Sequence, residues 1–332
     1  MAETALDLTT PTGPPTGPVC EPACEPAAVT AAAAEPPGSR GAARGTPRSA
    51  TRTTARSALT VTAALAAPLR RPGTLLALLV LATALAWAFA PDLLAGHDPL
   101  KASPAHRLRP PSADAWFGTD YLGRDVYARV VHGASLSLRA PVIAVGLALV
   151  TGTALGLLAG VLGGWVDALL MRLVDVVLAV PGILLSLAVV TALGFGTVNV
   201  AVAVGVAGIA GFARISRAQV LKVRQEPFVQ AAHAVGVGGL RSVVTHVLPH
   251  AAPPVLALAA LELGTAVLAV SALSFLGLGA QPPTPEWGAM VAEGRTYLGT
   301  AWWLTALPGL VIAAVTLSVN RFARSATRRW TA

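Results

Sequence analysis

Six apolar runs, most of them near twenty residues long, constrain this chain more than any other feature. They occupy residues 74–95, 138–162, 168–193, 198–212, 254–276 and 301–319. A helix rises about 1.5 Å per residue, so roughly twenty residues cross the hydrocarbon core of a bilayer. Inside lipid every backbone N–H and C=O needs an internal partner, which makes each run a helix rather than a loose segment. The balance of the chain agrees: it is 54% apolar and 12% charged, where soluble domains carry about 25% charged residues. The expected fold is an all-α polytopic membrane protein with six transmembrane helices.

The basic residues orient it. Arg40, Arg44, Arg48, Arg52, Arg56, Arg70 and Arg71 precede the first run. Arg214, Arg217, Lys222 and Arg224 follow the fourth, and Arg321, Arg324, Arg328 and Arg329 follow the sixth. Excess Lys and Arg mark the cytoplasmic side, so both termini are expected there, next to anionic lipid. Lys101, Arg107, Arg109, Arg124, Arg129 and Arg139, on the outer side, run against this rule, but the cytoplasmic excess is larger. The isoelectric point near 10.7 also fits a nucleic-acid binder. The arginines flank apolar runs instead of forming one basic face, so no nucleic-acid partner is expected.

One mixed stretch stands out between the fourth and fifth runs: QEPFVQAAHAVGVGGLRSVVTHVLPH, residues 225–250. Pro227 suits a first helical turn, where a missing N–H costs nothing. Phe228, Ala231, Ala232 and Val235 then share one face. Gly236, Gly238 and Gly239 stop that helix. A second short helix is expected over 240–248, ended by Pro249. Two short helices about a glycine turn, slung between spans, read as a docking knob.

Within the runs, Ala82, Ala86 and Ala90 form a small-residue ridge, and Gly152, Gly156 and Gly160 repeat at every fourth position. Both patterns let helices approach closely. A dimer face and a permeation lining are open for the glycines, with packing inside the bundle preferred. Arg172 and Asp175 are spaced to face each other, and Pro181 kinks the third span. Trp302 and Trp303 mark the outer interface. Glu262 is the one acid well inside a span, which makes it a candidate for the translocation path. On the outer side, Asp120, Arg124 and Asp125 either contact a partner or pair among themselves. The second reading is preferred.

Enzymatic motifs are missing. No GxxxxGK[ST] loop cradles a nucleotide phosphate, and no GxSxG elbow presents a nucleophile. His246 and His250 have the spacing of helical metal ligands but no HExxH around them; they read as packing histidines. Cys20 and Cys24, the two cysteines, read as free tail thiols. No catalytic residue, metal or cofactor is expected on this chain.

Gln230-Ala231-Ala232, Gly236 and Leu248-Pro249 resemble the "EAA" cytoplasmic loop of ABC-importer permeases, with Gln in the Glu position. Gly118-Thr119-Asp120, Gly123-Arg124-Asp125 and ALSFLGLGAQPPTPEWG (272–288) resemble the C-type permease subunit of dipeptide, oligopeptide and nickel importers. The likeness covers about residues 74–320. It implies the type I importer permease fold and alternating access in a bacterial cytoplasmic membrane. It also implies the partners: a second permease subunit completing a heterodimer, two ABC ATPase subunits that carry ATP and Mg, and an extracytoplasmic solute-binding protein. By the resemblance, Glu226, Phe228, Gln230, Ala231, Ala232, Gly236, Arg241, Leu248 and Pro249 couple to the ATPase. A self-contained channel or secondary transporter is the alternative. Two departures stand out: Val270 occupies a position that is often acidic, and an arginine-rich tail replaces an acidic stretch after the sixth span.

The domain plan that follows begins with a disordered cytoplasmic tail at 1–72, poor in large apolar residues and without a signal-peptide core near Met1. A first transmembrane helix (73–96) and an extracytoplasmic segment (97–137) come next. A permease core of five helices (138–322), containing the coupling loop (213–252), leads to a basic tail at 323–332.

Overall fold

A computed structural model describes residues 72–330, with side chains accounted for over 73–325. The expectations for the N-terminal tail, including Cys20 and Cys24, fall outside the described residues. The described residues form helices and loops, with one isolated antiparallel bridge, Thr119 to Asp125.

Helix α1 is Pro72–Phe89, and α2 is the short Pro91–Ala95. The expected first span therefore breaks at Ala90, because the proline after it disfavours helical backbone. The alanine ridge does not pack either: Ala82 and Ala86 are exposed. The buried side carries Ala77 and Ala84 instead, with Val80 and Trp87 against the same core.

Helix α3, Val126–Leu162, has 37 residues and starts well before the expected span. Asp125 caps it, accepting from the Tyr127 N–H at 2.9 Å. At about 1.5 Å per residue it is longer than the ~30 Å hydrocarbon core, so it projects beyond it. Helices α4, Gly164–Ala179, and α5, Gly182–Leu193, meet at Pro181 with a bend of 94°. The expected kink is thus a full break: Val180, before the proline, is extended at φ −90° and ψ 128°.

Helix α6, Thr197–Arg224, runs 28 residues, past the expected end at 212. Helix α7 is Pro227–Ala234, and α8 is Gly239–Ser242. A π-helical turn, Val243–Val247, joins α8 to α9, Leu248–Phe275. Pro249 therefore does not end a helix. The π turn shifts the hydrogen-bond register, Leu248 N–H reaching Val243 O, and Pro249 falls in the first turn of α9, where its missing donor is harmless. Helix α10 is Trp287–Gly294. Helix α11, Trp303–Trp330, continues through most of the expected basic tail.

Among the described residues, four helices are long and apolar enough to cross a membrane, and five if the bent α4–α5 pair is one span. The α1 stretch Gly73–Phe89 is apolar but shorter. The six-span expectation thus exceeds what helix length alone gives, because proline cuts two of the six runs.

The three spaced glycines explain the tightest packing, that of α3 on α6. A Cβ on Gly152 would come within 2.6 Å of Ile209 O, and one on Gly160 within 2.7 Å of Val220 Cγ1. Gly156 lies against Ala213 and Ser216. The glycines serve bundle packing, as preferred from the sequence.

Candidate functional site

The loop between α6 and α9 is compact. Glu226, half-buried, precedes α7 in extended backbone without capping it through its side chain. Val229 is the buried anchor of α7, set among Val220 and Val223 of α6 and Val247 and Ala251 beyond it. Two residues separate α6 from α7, so the loop is tied to the bases of both flanking helices.

The opposite face is open. Phe228 is 41% exposed, Val235 83% and Leu240 81%. Phe228 packs on His250 at 4.8 Å between ring centroids and on His246 at 6.4 Å, so these histidines pack as expected. Among the described residues no cluster of three His, Cys, Asp or Glu could hold a metal. Gln230 Nε2 donates to Gln225 O at 3.1 Å. Ala231, Arg241, Leu248 and Pro249 are exposed, and Ala232 is half-buried.

Gly236 ends α7 at φ +87°. Its N–H donates to His233 O, and the Val237 N–H to Ala232 O, both at 3.0 Å. That pair of bonds, with a left-handed residue between, is a helix stop that favours glycine.

Three of the arginines that follow the fourth apolar run are structural pins. Arg217 on α6 makes a two-pronged ion pair with Asp167 of α4. Arg214 pairs with Asp175, so Asp175 turns to α6 and not to Arg172. Arg224 Nη1 donates to Gly160 O at 2.6 Å and to Val161 O at 3.1 Å, satisfying carbonyls that the end of α3 leaves open.

Glu262 lies apart from the loop, roughly 20 Å along α9 from Pro249 at helical rise. It lines a cavity of about 250 Å³ between α3, α5, α6 and α9, beside Ala148, Ser186, Gly208 and Phe212. Its Oε2 is 2.7 Å from the Thr265 hydroxyl. No ion pair among the described residues includes it. Val270 does not face this cavity; it packs with Ala140, Val190 and Leu273.

On the far side, Asp120 accepts from Arg124 Nε at 2.6 Å and from Arg129 Nη1 at 3.0 Å. Arg129 also donates to Glu293 of α10 at 2.9 Å. Asp120, Arg124 and Arg129 are buried at 2%, 4% and 2% exposure, so this cluster fixes local shape. Asp125 instead caps α3. Trp303 is buried too, its Nε1 donating to Thr119 O at 3.3 Å; Trp302 alone of the pair is exposed.

Glu286 escaped the sequence reading as a key residue. It is fully buried and caps α10, accepting from the Gly288 N–H at 3.1 Å and the Ala289 N–H at 2.9 Å. Ser137 Oγ donates to it at 3.3 Å. Burial pushes its carboxyl up from the ordinary value, against the pull of those amides. Trp287 Nε1 donates to Val130 O at 2.8 Å, and Gly288 lies so close to Ser271 of α9 that a Cβ would not fit. The Glu-Trp-Gly triplet was the available signal: a cap, a plug and a contact without side chain.

Residues 152–332 match the model of the family described as binding-protein-dependent transport system inner membrane component. The dipeptide transport system permease protein DppC of Alkalihalophilus pseudofirmus is 44% identical over 232 residues, covering 70% of this chain and 76% of that protein. The probable D,D-dipeptide transport system permease protein DdpC of Escherichia coli is 42% identical over 229 residues, 69% of this chain and 77% of that one. The glutathione transport system permease protein GsiD of Escherichia coli is 44% identical over 210 residues, 63% and 69% of the two chains. The inward-facing MetNI methionine ABC transporter overlays with a TM-score of 0.47 at 19% identity, over 60% of this chain and 96% of that one. The chain belongs to the binding-protein-dependent inner membrane components, as a multi-pass permease subunit of an ABC importer.

Proposed function

We propose that this permease forms half of a heterodimeric import path in a bacterial cytoplasmic membrane, and that two ABC ATPase subunits grip its 225–250 loop from the cytoplasm. Both chain ends lie on that side. A solute-binding protein delivers cargo from outside, and ATP and Mg are handled by the ATPases. The observation that carries this is the two-faced loop: Val229 is at 0% exposure while Phe228, Val235 and Leu240 stand open to solvent. An apolar face on a polar-flanked knob suits a protein partner. Its buried face joins α6 and α9, so movement of the knob is passed to both helices. Glu226, Phe228, Gln230, Ala231, Ala232, Gly236, Arg241, Leu248 and Pro249 form or frame the gripped surface, and Glu262 lines the path above it.

The cargo is a di- or oligopeptide or a related solute such as a nickel complex. Relatives named for dipeptide, D,D-dipeptide and glutathione transport support the peptide class. A self-contained channel or secondary transporter would leave the exposed loop face without a role.

Gly236→Val tests the grip. A Cβ there meets nothing within 4 Å, so the strain is conformational and confined to the loop. The variant is expected to insert and assemble, yet lose the stimulation of ATP hydrolysis by loaded binding protein. Reconstituted complexes are the assay; normal stimulation would refute the docking role.

A further inference from the structure

The cavity beside Glu262 has a volume of about 250 Å³, which is room for roughly eight waters. That is below the range of drug-sized ligand sites, and it suits one small solute or one end of a longer one. Its wall is built largely of small apolar residues, among them Ala144, Ala148, Ala207 and Ala266, and Glu262 is the only charged side chain among the residues that line it. The Ser186 hydroxyl is already committed, lying 2.8 Å from Gly182 O. The nearest polar group to the carboxylate is the Thr265 hydroxyl, on the same helix.

A carboxylate inside a span is costly unless a cation meets it. None of the described cations does so, and the cavity beside it is open to a ligand. The missing cation is therefore sought among solutes. A divalent metal asks for six or more oxygens, where the cavity offers one carboxylate and one hydroxyl. A guanidinium fork is best met by a carboxylate with both oxygens clear, and Oε2 of Glu262 is crowded by the Thr265 hydroxyl, 2.7 Å away, which lies as close to Glu262 O at 2.8 Å. A primary ammonium, compact and with three donors that turn freely, fits an oxygen pair of this kind.

We propose that the Glu262 cavity is a binding site for the primary ammonium group of a solute in transit, with Glu262 as counter-ion and Thr265 as second acceptor. This rests on the reading of the chain as half of an import path, and its test is independent of ATP hydrolysis.

The test places a cysteine at Ala266, which lines the cavity one helical turn from Glu262, with Cys20 and Cys24 changed to serine. The full complex in proteoliposomes is labelled with aminoethyl methanethiosulfonate, a primary ammonium, and with neutral methyl methanethiosulfonate, each rate divided by that for free cysteine. The ammonium reagent is expected to lead by roughly tenfold, as for a cation entering an anionic cleft. Glu262→Gln should bring the ratio to about one, and Glu262→Asp should keep the preference. Ethylamine should slow the labelling. Alanyl-alanine should slow it too if peptide amino termini use the site, while its N-acetyl form should not; protection by ethylamine alone would assign the site to side-chain ammonium groups.

Equal rates for the two reagents would overturn the proposal, as would a preference that survives Glu262→Gln, or a cysteine that neither reagent reaches. Loss of complex assembly in Glu262→Gln would do so as well, since it would mean that a cation of the second permease covers the carboxylate. Failure of the importer reading would appear in the ATPase assay and leave the labelling ratio unchanged.

Discussion

Glu286 and Gly236 mark the two extremes of what a single residue reveals in advance. The Glu286 carboxyl is buried and raised, so its proton is held more tightly in the folded chain than in the unfolded one. Its stabilising contribution is full below the ordinary carboxyl value and is lost as pH rises through the raised one. Glu286→Gln keeps an acceptor for the α10 amides without the charge. It is expected to hold near wild-type stability and to lose the decline at higher pH. Glu286→Ala removes the cap and should cost about 1–3 kcal/mol. Thermal unfolding of the detergent-solubilised chain from about pH 5 to pH 8 compares the three; a Gln variant as unstable as Ala would show that the ionised form holds the helix. Gly236 was legible because proline, an apolar face and a glycine stop all act within one short window. Glu286, Arg129 and Glu293 were not, because their partners lie far along the chain: Arg129 and Glu293 are 164 residues apart, and Ser137 and Glu286 are 149 apart. Local pattern carries no trace of such pairings.

At the scale of elements, α3 and α6 form the tightest pair, and the glycine spacing announced it. Gly156 is the sharpest test. Its missing side chain lets Ala213 and Ser216 of α6 touch the α3 backbone, so Gly156→Leu must pry the helices apart, an overpacking that typically costs 1–3 kcal/mol or more. Gly146, on the same helix, has nothing within 4 Å of an added Cβ, and Gly146→Ala should be neutral or mildly stabilising. Membrane abundance and detergent melting of both variants decide this; equal behaviour would mean that α3 and α6 are not held by close approach. Element ends were harder to read than element interiors. Arg214, Arg217 and Arg224 look like loop residues in the sequence, yet they extend α6 because Asp175, Asp167 and the last carbonyls of α3 wait beside them. The chain there is polar and still ordered by pairing. Proline was equally ambiguous. Pro181 breaks its span by 94°, whereas Pro141, Pro253 and Pro254 sit inside continuous helices. A proline alone therefore does not decide whether a helix breaks.

For the whole molecule, the helical membrane fold and its mid-chain loop followed from apolar run length, while the count of spans did not, since prolines at 91 and 181 leave helices too short to be judged by length. The parts nevertheless connect into one route. The loop sits on α6 and α9 through Val229, and α9 carries Glu262 to the cavity. Arg217 and Arg214 tie α6 to α4, on the near side of the break at Pro181. A push on the loop therefore reaches α6 and α4 together, and it reaches α5 as well, since Val190 of α5 packs with Val200 and Ala203 of α6 beside the cavity wall. Residues 1–69 are poor in large apolar side chains, a composition expected to bury little area. A chain beginning at Arg70 keeps the two arginines next to α1, and juxtamembrane charge of that kind sets orientation. It is expected to insert with the same topology, to join its partners, and to support uptake within about twofold of the full chain, since only screened lipid contacts are lost. Cysteine accessibility at the 225–250 loop reports the topology, and co-purification with the second permease and the ATPases reports assembly. An inverted loop, or a truncated chain that fails to co-purify, would mean that the tail directs insertion or holds a partner, and that the route from loop to cavity is not sufficient without it.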